Sequence, residues 1–459
     1  MAKEFIIAIE LGSSKITGIA GRKNQDGSTS ILAVAQEDST SCIRKGVIYN
    51  IDKTVQSLTN IVKKLETNLK TKIAHVYVGV GGQSIRSVKN VIAKDLPADT
   101  IVDQAMVYEL MDANRSMVYP EQEILDAATQ EYKVDNQYQL DPIGIQCSKL
   151  EGNFLNILWR KNFYRNLNKC FDNAGLAIAD MYLAPLALAD SILTEAEKRS
   201  GCMLVDIGAD TTTVSVYFKN ILRHLAVIPL GSNNITKDIA SLQMEDAEAE
   251  MMKLKYGSAY TDNNDIDNNL MLPIDQDRQV ESRKFVEIVE ARMEEIIENA
   301  WFQVPGEYAD KLLSGIILTG GGSNMPNLVK AFRNHTHIEK IRIAKFVTQT
   351  INSNIPEISA HDGRMNTILG LLEKGDKNCA GEEFTNDLFG GEAKQGPTTA
   401  DLHRNPRPAN ETTGRGIVPT EAEKQKAEEE ARKKKENSML NRLWRSIKKF
   451  SKTVMEEEE

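Results

Sequence analysis

The sequence predicts a two-lobed α/β body followed by a linker and a short amphipathic helix. Three observations lead there. Residues 1 to about 375 alternate short β-branched runs with amphipathic helical stretches, one strand–acid–turn–strand unit occurs twice, and the composition changes abruptly beyond residue 375. With 459 residues, 41% of them hydrophobic, the chain exceeds what one core usually holds, so two lobes with appendages are expected.

The formal net charge is -9 and the pI is near 5.5, which excludes a general nucleic-acid binder, whose footprint would be a basic face. Cys42, Cys147, Cys170, Cys202 and Cys379 are odd in number, scattered and never spaced C-x-x-C, so neither a disulfide framework nor a zinc site is indicated. The opening MAKEFIIAIELG lacks a charged segment followed by a long apolar run, and no apolar stretch approaches the roughly 20 residues of a spanning helix. A cytosolic chain that does not cross the membrane is expected.

The repeated unit reads IELGSSKITGIAG at 9–21 and VDIGADTTTVSVY at 205–217. In each, Gly12 or Gly208 permits a tight turn where a side chain would collide with a phosphate. Turn N–H groups and the hydroxyls of Ser13, Ser14, Thr211 and Thr212 can donate to that phosphate. Lys15 adds a positive charge, and Glu10 and Asp206, ending their apolar strands, are placed to hold a hydrated Mg2+. One copy alone reads as an ordinary hairpin with a glycine turn; two copies suggest two halves built alike. A third element, IILTGGGSNMPNL at 316–328, runs an apolar strand into Gly320, Gly321 and Gly322, where missing side chains let a base or ribose lie against backbone, with Ser323 and Met325 following. The chain has neither the order of a dinucleotide fingerprint at this point nor a G-x-x-x-x-G-K-[ST] run.

These three motifs, in this order, resemble the two phosphate loops and the adenosine motif of the actin, sugar-kinase and heat-shock-chaperone superfamily, over residues 1 to about 375. Within it the chain is most similar to the bacterial cell-division family FtsA, through HVYVGVGGQSI (75–85), QEYKVDNQYQLDPIGIQC (130–147), IPLGSNNITKDIA (228–240) and DAEAEMMKLKYG (246–257). The resemblance implies a two-lobed actin-like ATPase fold. Its first lobe would occupy 1–89 and 166–198, an inserted small α+β subdomain 90–165, and its second lobe 199–375, of which 238–313 form a peripheral subdomain. It implies ATP with Mg2+ in the cleft, with Gly12, Ser13, Ser14 and Lys15 on one side of the phosphates and Gly208, Asp210, Thr211 and Thr212 on the other. Gly231 would lie near the ribose and phosphates, and Glu250 and Lys253, on one helical face, would reach the adenosine; without the motif context that pair reads as solvated. Glu10 departs from actins, which carry aspartate there, and this puts hydrolysis in doubt more than binding.

The stretch 281–301, ESRKFVEIVEARMEEIIENAW, carries Phe285, Ile288, Val289, Met293, Ile296 and Ile297 on one face, which reads first as packing on its own domain. In the family this subdomain receives the C-terminal peptide of the tubulin-like ring protein FtsZ, and the resemblance points to Arg292, with Arg283 and Lys284 behind it, for charge contacts. His335 and His337 are set aside as a metal pair because no nearby cysteine or further ligand completes them.

Residues 376–437 are polar and end in a charge run, which reads as a disordered linker of about 45 Å mean span. Beyond it, Met439, Leu440, Leu443, Trp444, Ile447, Phe450 and Val454 recur at three- and four-residue spacing, covering an arc of about 140°. Arg442, Arg445, Lys448, Lys449 and Lys452 take the other side. A helix over 438–455 would lie in an anionic membrane surface, weakened by the acidic end 456–459 and strengthened by several tails acting together. The expected role is an ATP-binding cytoskeletal membrane adaptor rather than an enzyme, slow hydrolysis aside. It would polymerise with itself on the cytoplasmic face of the inner membrane at the division site, anchor the FtsZ ring and recruit other division proteins. The rival readings are a sugar or acetate-type kinase and a pilus-assembly actin-like scaffold.

Overall fold

The computed structural model describes residues 4–262, 266–267 and 269–383. The chain opens with an antiparallel meander of β1 (Ile6–Leu11), β2 (Lys15–Lys23) and β3 (Thr29–Asp38), whose Ile7, Ile9, Ile16 and Ile19 are fully buried. Two short strands, β4 (Ile43–Arg44) and β5 (Val47–Ile48), form a hairpin around Lys45 and Gly46. In α1 (Ile51–Leu69), Leu58, Ile61 and Leu65 face the sheet; Asn50 caps its start by accepting the Lys53 N–H, and Lys70 ends it in the left-handed region. Then β6 (Thr71–Ile73) leads to β7 (His75–Val80), which lies parallel to β1.

The inserted module follows: β8 (Arg86–Ile101), α2 (Gln104–Arg115), β9 (Gln122–Val134), β10 (Gln137–Gln139) and β11 (Gln146–Arg160). Val107, Leu110 and Met111 of the helix and Leu150 and Phe154 of the sheet are buried where α2 lies on β8 and β11. Its sheet runs from Arg86, opposite Leu158, where the sequence reading begins the insert at 90. The chain re-enters the first lobe through α3 (Lys161–Asn173) and β12 (Ala177–Leu183), which extends the sheet beside β7, then α4 (Ala184–Ile192) and α5 (Glu195–Ser200).

The second lobe repeats the meander as β13 (Cys202–Ile207), β14 (Thr212–Phe218) and β15 (Ile221–Ile228). There follow α6 (Ser232–Ala240), α7 (Asp246–Tyr256), β16 (Met271–Pro273), β17 (Gln279–Glu281), α8 (Ser282–Phe302), α9 (Gly306–Ala309), β18 (Ile316–Thr319), α10 (Leu328–Thr336) and β19 (Ile341–Ile343). The two sheets contain the same five-strand arrangement: β3-β2-β1-β7-β12 in one and β15-β14-β13-β18-β19 in the other, with the last three strands of each set parallel. The insert's sheet continues onto this second sheet. Arg86 pairs with Ala226 of β15, and Ser87 Oγ accepts from the Leu225 N–H and donates to the Leu225 carbonyl.

Two boundaries read from the sequence are corrected. The second lobe does not run to 375: β20 (Ile351–Asn352) pairs with β3, and after α11 (Pro356–Ser359) the helix α12 (Asn366–Lys374) packs on α4, β1 and β2 of the first lobe. Its Ile368, Leu369, Leu371 and Leu372 are buried there, and nothing in an amphipathic pattern says which of two similar sheets it covers. Nor does the linker begin at 376. The Tyr77 hydroxyl donates to Asp376, the Cys379 N–H donates to the Phe5 carbonyl, and β21 (Ala380–Glu383) pairs with β6. Strand addition satisfies backbone groups and needs little apolar composition, so a polar sequence conceals it. The remainder of the expected linker and the amphipathic segment 438–455 lie outside the described residues.

Candidate functional site

The two meander tips carry the first two motifs. Glu10 stands next to last on β1, paired with Thr17 and Gly79; Asp206 stands next to last on β13, paired with Thr213 and Thr319. Both acids are half-buried, and among the described residues no donor meets either carboxylate. Burial pushes Glu10 up to about 8, with the negative charge of Asp206 adding to the rise, and burial pushes Asp206 up to about 6. One carboxylate from each lobe therefore shares a poorly solvated region, short of positive charge. A proton or a hydrated divalent cation would relieve it, so the donor set fits Mg2+.

Around these acids the tips are tightly turned. A Cβ on Gly12 would stand 2.7 Å from the Lys15 carbonyl, and one on Gly208 would stand 3.0 Å from that of Thr211. Ser14 and Lys15 are exposed at the first tip, where the Lys15 ammonium meets Gln36 at 3.3 Å. Ser13 is buried, and its Oγ accepts the Gly46 N–H at 2.8 Å, which leaves its own proton to donate. At the second tip Thr211 is half-buried, whereas Thr212 is fully buried and its hydroxyl donates to the Leu230 carbonyl at 2.9 Å. That withdraws Thr212 from the expected phosphate donors. Asp210 accepts from Asn233 Nδ2 at 2.8 Å and from the Lys45 N–H at 3.1 Å, so both its oxygens are engaged away from any phosphate they would repel.

Gly231 opens α6 against the second tip. A Cβ there would stand 2.5 Å from the Ala209 carbonyl, and the following Ser232 and Asn233 N–H groups donate to Gly208 and Ala209. Lys253 and Glu250 do share a helical face, yet neither the solvated reading nor a free reach to a base describes them. Lys253 is buried, its ammonium 2.6 Å from Glu250 and donating to Thr236 and to the Ser232 carbonyl, so it braces α7 against the start of α6.

The third motif closes against β13. Gly320 has φ 85, and a Cβ there would lie 2.3 Å from Asp206 Oδ1; Gly322 presses on Ile207 in the same way. Ser323 is buried and donates to the Gly320 carbonyl, Met325 packs on the core, and Gly321 keeps its backbone exposed. Two further participants escaped the sequence reading: Gly363, at φ 80 with a Cβ position 3.4 Å from the Gly320 N, and the Lys45–Gly46 turn. The Lys-Gly pair between β-branched runs was the available signal for the turn.

On α8 the apolar face is core: Phe285, Val289, Met293, Ile296 and Ile297 are fully buried. Arg292 is not a free charge, since it pairs with Asp238 of α6 and with Glu295; Arg283 pairs with Glu287 at 3.7 Å and Lys284 is exposed. Arg292, Asp238, Ser241, Ile288, Ala291 and Glu295 line a surface hollow of about 340 Å³. The hollow lies between α6 and α8, and neither Glu10 nor Asp206 lines it. Two glutamates concealed by sequence spacing, Glu294 and Glu298 of α8, do approach His335, all three groups lying at the surface. Leu440, Arg442, Leu443, Trp444, Arg445, Ile447, Lys448, Lys449 and Phe450, assigned to the membrane, lie outside the described residues. Among the described residues no helix is long and apolar enough to cross a membrane.

Residues 203–362 match the family model described as "Cell division protein FtsA", and residues 82–158 match "SHS2 domain inserted in FTSA". The chain is 32% identical over 389 residues to the cell division protein FtsA of Porphyromonas gingivalis, covering 82% of this chain and 80% of that one. It is 34% identical over 336 residues to that of Neisseria meningitidis serogroup B, covering 72% and 81%. Among solved structures, a "PilM-PilN type IV pilus biogenesis complex" aligns with a TM-score of 0.57 at 15% identity, over 80% of this chain and 97% of that one.

Proposed function

We propose, from the premise that this chain belongs to the FtsA family of cell division proteins and has an actin-like fold, that it is an ATP-dependent anchor of the division ring. It binds ATP with Mg2+ between the lobes, assembles with copies of itself on the cytoplasmic face of the inner membrane, and holds an FtsZ filament there through that protein's C-terminal peptide. Later division proteins join the assembly. The observation that carries the nucleotide part is the pair Glu10 and Asp206, two carboxylates that meet no donor among the described residues and that end equivalent strands beside equivalent glycine turns.

Bound there, Mg2+ would neutralise charge between the carboxylates and the phosphates. Ser13, Ser14, Thr211 and Lys15 are the side chains free to donate to phosphate oxygens, and Gly12, Gly208 and Gly321 allow backbone to approach. The peptide part is supported by the hollow at Arg292, where an acidic segment would exchange with Asp238 and Glu295 for the guanidinium. Support for the membrane part is the apolar and basic segregation over 438–455, with each cation near anionic lipid contributing about 1 kcal/mol.

The test is co-sedimentation of the full chain with vesicles containing phosphatidylglycerol, with and without ATP and Mg2+, scored also for capture of FtsZ. Pelleting that needs residues 438–459, and FtsZ recruitment that follows it, is the expected result. Pelleting that survives deletion of 438–459 removes the membrane part, and ATP turnover that depends on a sugar or acetate restores the kinase reading.

A further inference from the structure

The β4–β5 turn sits where the two lobes meet. Lys45 and Gly46 have φ 51 and 71, two consecutive left-handed residues, the tight turn that suits a two-strand hairpin. Its backbone donates in two directions. The Gly46 N–H goes to Ser13 Oγ in the first lobe at 2.8 Å, and the Lys45 N–H goes to Asp210 Oδ2 in the second at 3.1 Å. The Lys45 carbonyl accepts the Gln83 N–H at 3.0 Å. A Cβ on Gly46 would fall 2.5 Å from Gly82 Cα, and one on Gly82 would fall 2.5 Å from the Gly46 carbonyl oxygen, so neither backbone leaves room for a methyl group. Three residues past Gln83, Arg86 opens the insert's sheet.

We propose that the Lys45–Gly46 turn is a third wall of the phosphate site and a latch between the lobes, positioning Ser13 for the terminal phosphate of a nucleoside triphosphate and passing its own position to the root of the inserted module. The inference rests on the ATP reading above. Ser13 has one proton; with its lone pair receiving the Gly46 N–H, that proton is directed away from the turn, and a phosphate that takes it strengthens the hydrogen bond behind it. Asp210 serves as a strut: its two oxygens tie Asn233 of α6 and the Lys45 N–H together, fixing the distance between the tips. Because one rigid turn holds a group from each lobe, its position depends on how closely the lobes approach. The Gly46–Gly82 contact, too tight to slip, hands that position to 82–86.

The experiment is hydrogen exchange by mass spectrometry on the full chain with ATP, with ADP and with neither, alongside calorimetric affinities for both nucleotides. It is run on the wild type and on Gly82→Ala, which crowds the turn from outside the phosphate site, and on Asp210→Asn, which puts an NH2 donor in place of one of the two oxygens that Asn233 and Lys45 separately reach. The expected result is that ATP slows exchange across 83–90 in the wild type more than ADP does. Either variant should lose that difference and about tenfold of the ATP preference, as loss of one hydrogen bond to a charged group would give. Folded variants that keep both the wild-type affinity ratio and the exchange response overturn the latch while leaving the nucleotide reading standing. A wild-type chain without affinity for ATP overturns the nucleotide reading first and the latch with it.

Discussion

Glu10→Gln separates the two effects that the carboxylate pair combines. Without a cation, Glu10 is raised from the ordinary 4.5 to about 8. The folded state therefore holds a proton that the unfolded chain releases from about pH 4.5 upward. The sign follows: stability from this group is fully present below pH 4.5 and is lost as pH rises through about 8. Asp206, at about 6, completes its own loss near neutrality, so between pH 6 and 8 the slope belongs mainly to Glu10. At about 1.4 kcal/mol per pH unit, that interval removes up to about 3 kcal/mol. Glutamine keeps the shape and abolishes the titration, so the variant should melt at nearly constant temperature over this range while the wild type loses several degrees. Adding Mg2+ with ATP should reverse the wild-type loss at pH 8 and help the variant far less. Differential scanning calorimetry at pH 6, 7 and 8, with and without the nucleotide, makes the comparison. Parallel pH profiles for the two proteins would refute the claim that the cleft strands a carboxylate.

Replacing Lys253 by Met should destabilise the second lobe by about 1–3 kcal/mol in urea unfolding, because it leaves the Ser232 carbonyl and the part-exposed Glu250 short of their donor at the α6–α7 brace. Gly320→Ala forces a side chain into left-handed backbone against Asp206, and should cost about 1–3 kcal/mol in a denaturation curve and lower Mg2+-dependent ATP affinity in calorimetry. Arg292→Glu should abolish fluorescence-detected binding of an FtsZ C-terminal peptide and leave ATP affinity unchanged, since neither Glu10 nor Asp206 lines its hollow. Ser87→Val strands the Leu225 N–H at the insert's seam and should lower stability by about 1–3 kcal/mol, with faster hydrogen exchange at 224–226.

The internal duplication was legible because it lies in short, local patterns: an apolar run, an acid and a glycine turn are all set by neighbours within a few residues. Gly12 and Gly208 could be picked out for the same reason. What escaped depended on pairing across distance. Thr212 and Thr211 are indistinguishable in sequence, but Thr212 opens β14 and turns its hydroxyl to the Leu230 carbonyl, while Thr211 stays in the turn before it. Lys253 reads as solvated until α6 covers it, and Arg292 reads as a free cation until Asp238, 54 residues earlier, arrives beside it. The helix 366–374 carries a clear amphipathic stripe with no indication of its partner sheet, so its lobe was misassigned.

The insert's seam changes how the lobes should be regarded as mechanical bodies. By chain order the module belongs to the first lobe, which it leaves after Val80 and rejoins at α3. By hydrogen bonding its sheet is part of the second: Ser87 meets Leu225, Gln130 donates to the Leu222 carbonyl, and the buried Arg223 reaches Glu131. A hydrogen-bonded sheet resists shear better than a glycine-bearing loop resists rotation, so strain between the lobes falls on the connections rather than on the seam. One connection is 81–85, with Gly82 at φ 98, and it is this segment that the Lys45–Gly46 turn grips. The latch therefore acts at the flexible end of a module otherwise fixed to the opposite lobe. A small change in the separation of the two hairpin tips would there become a change in the module's orientation.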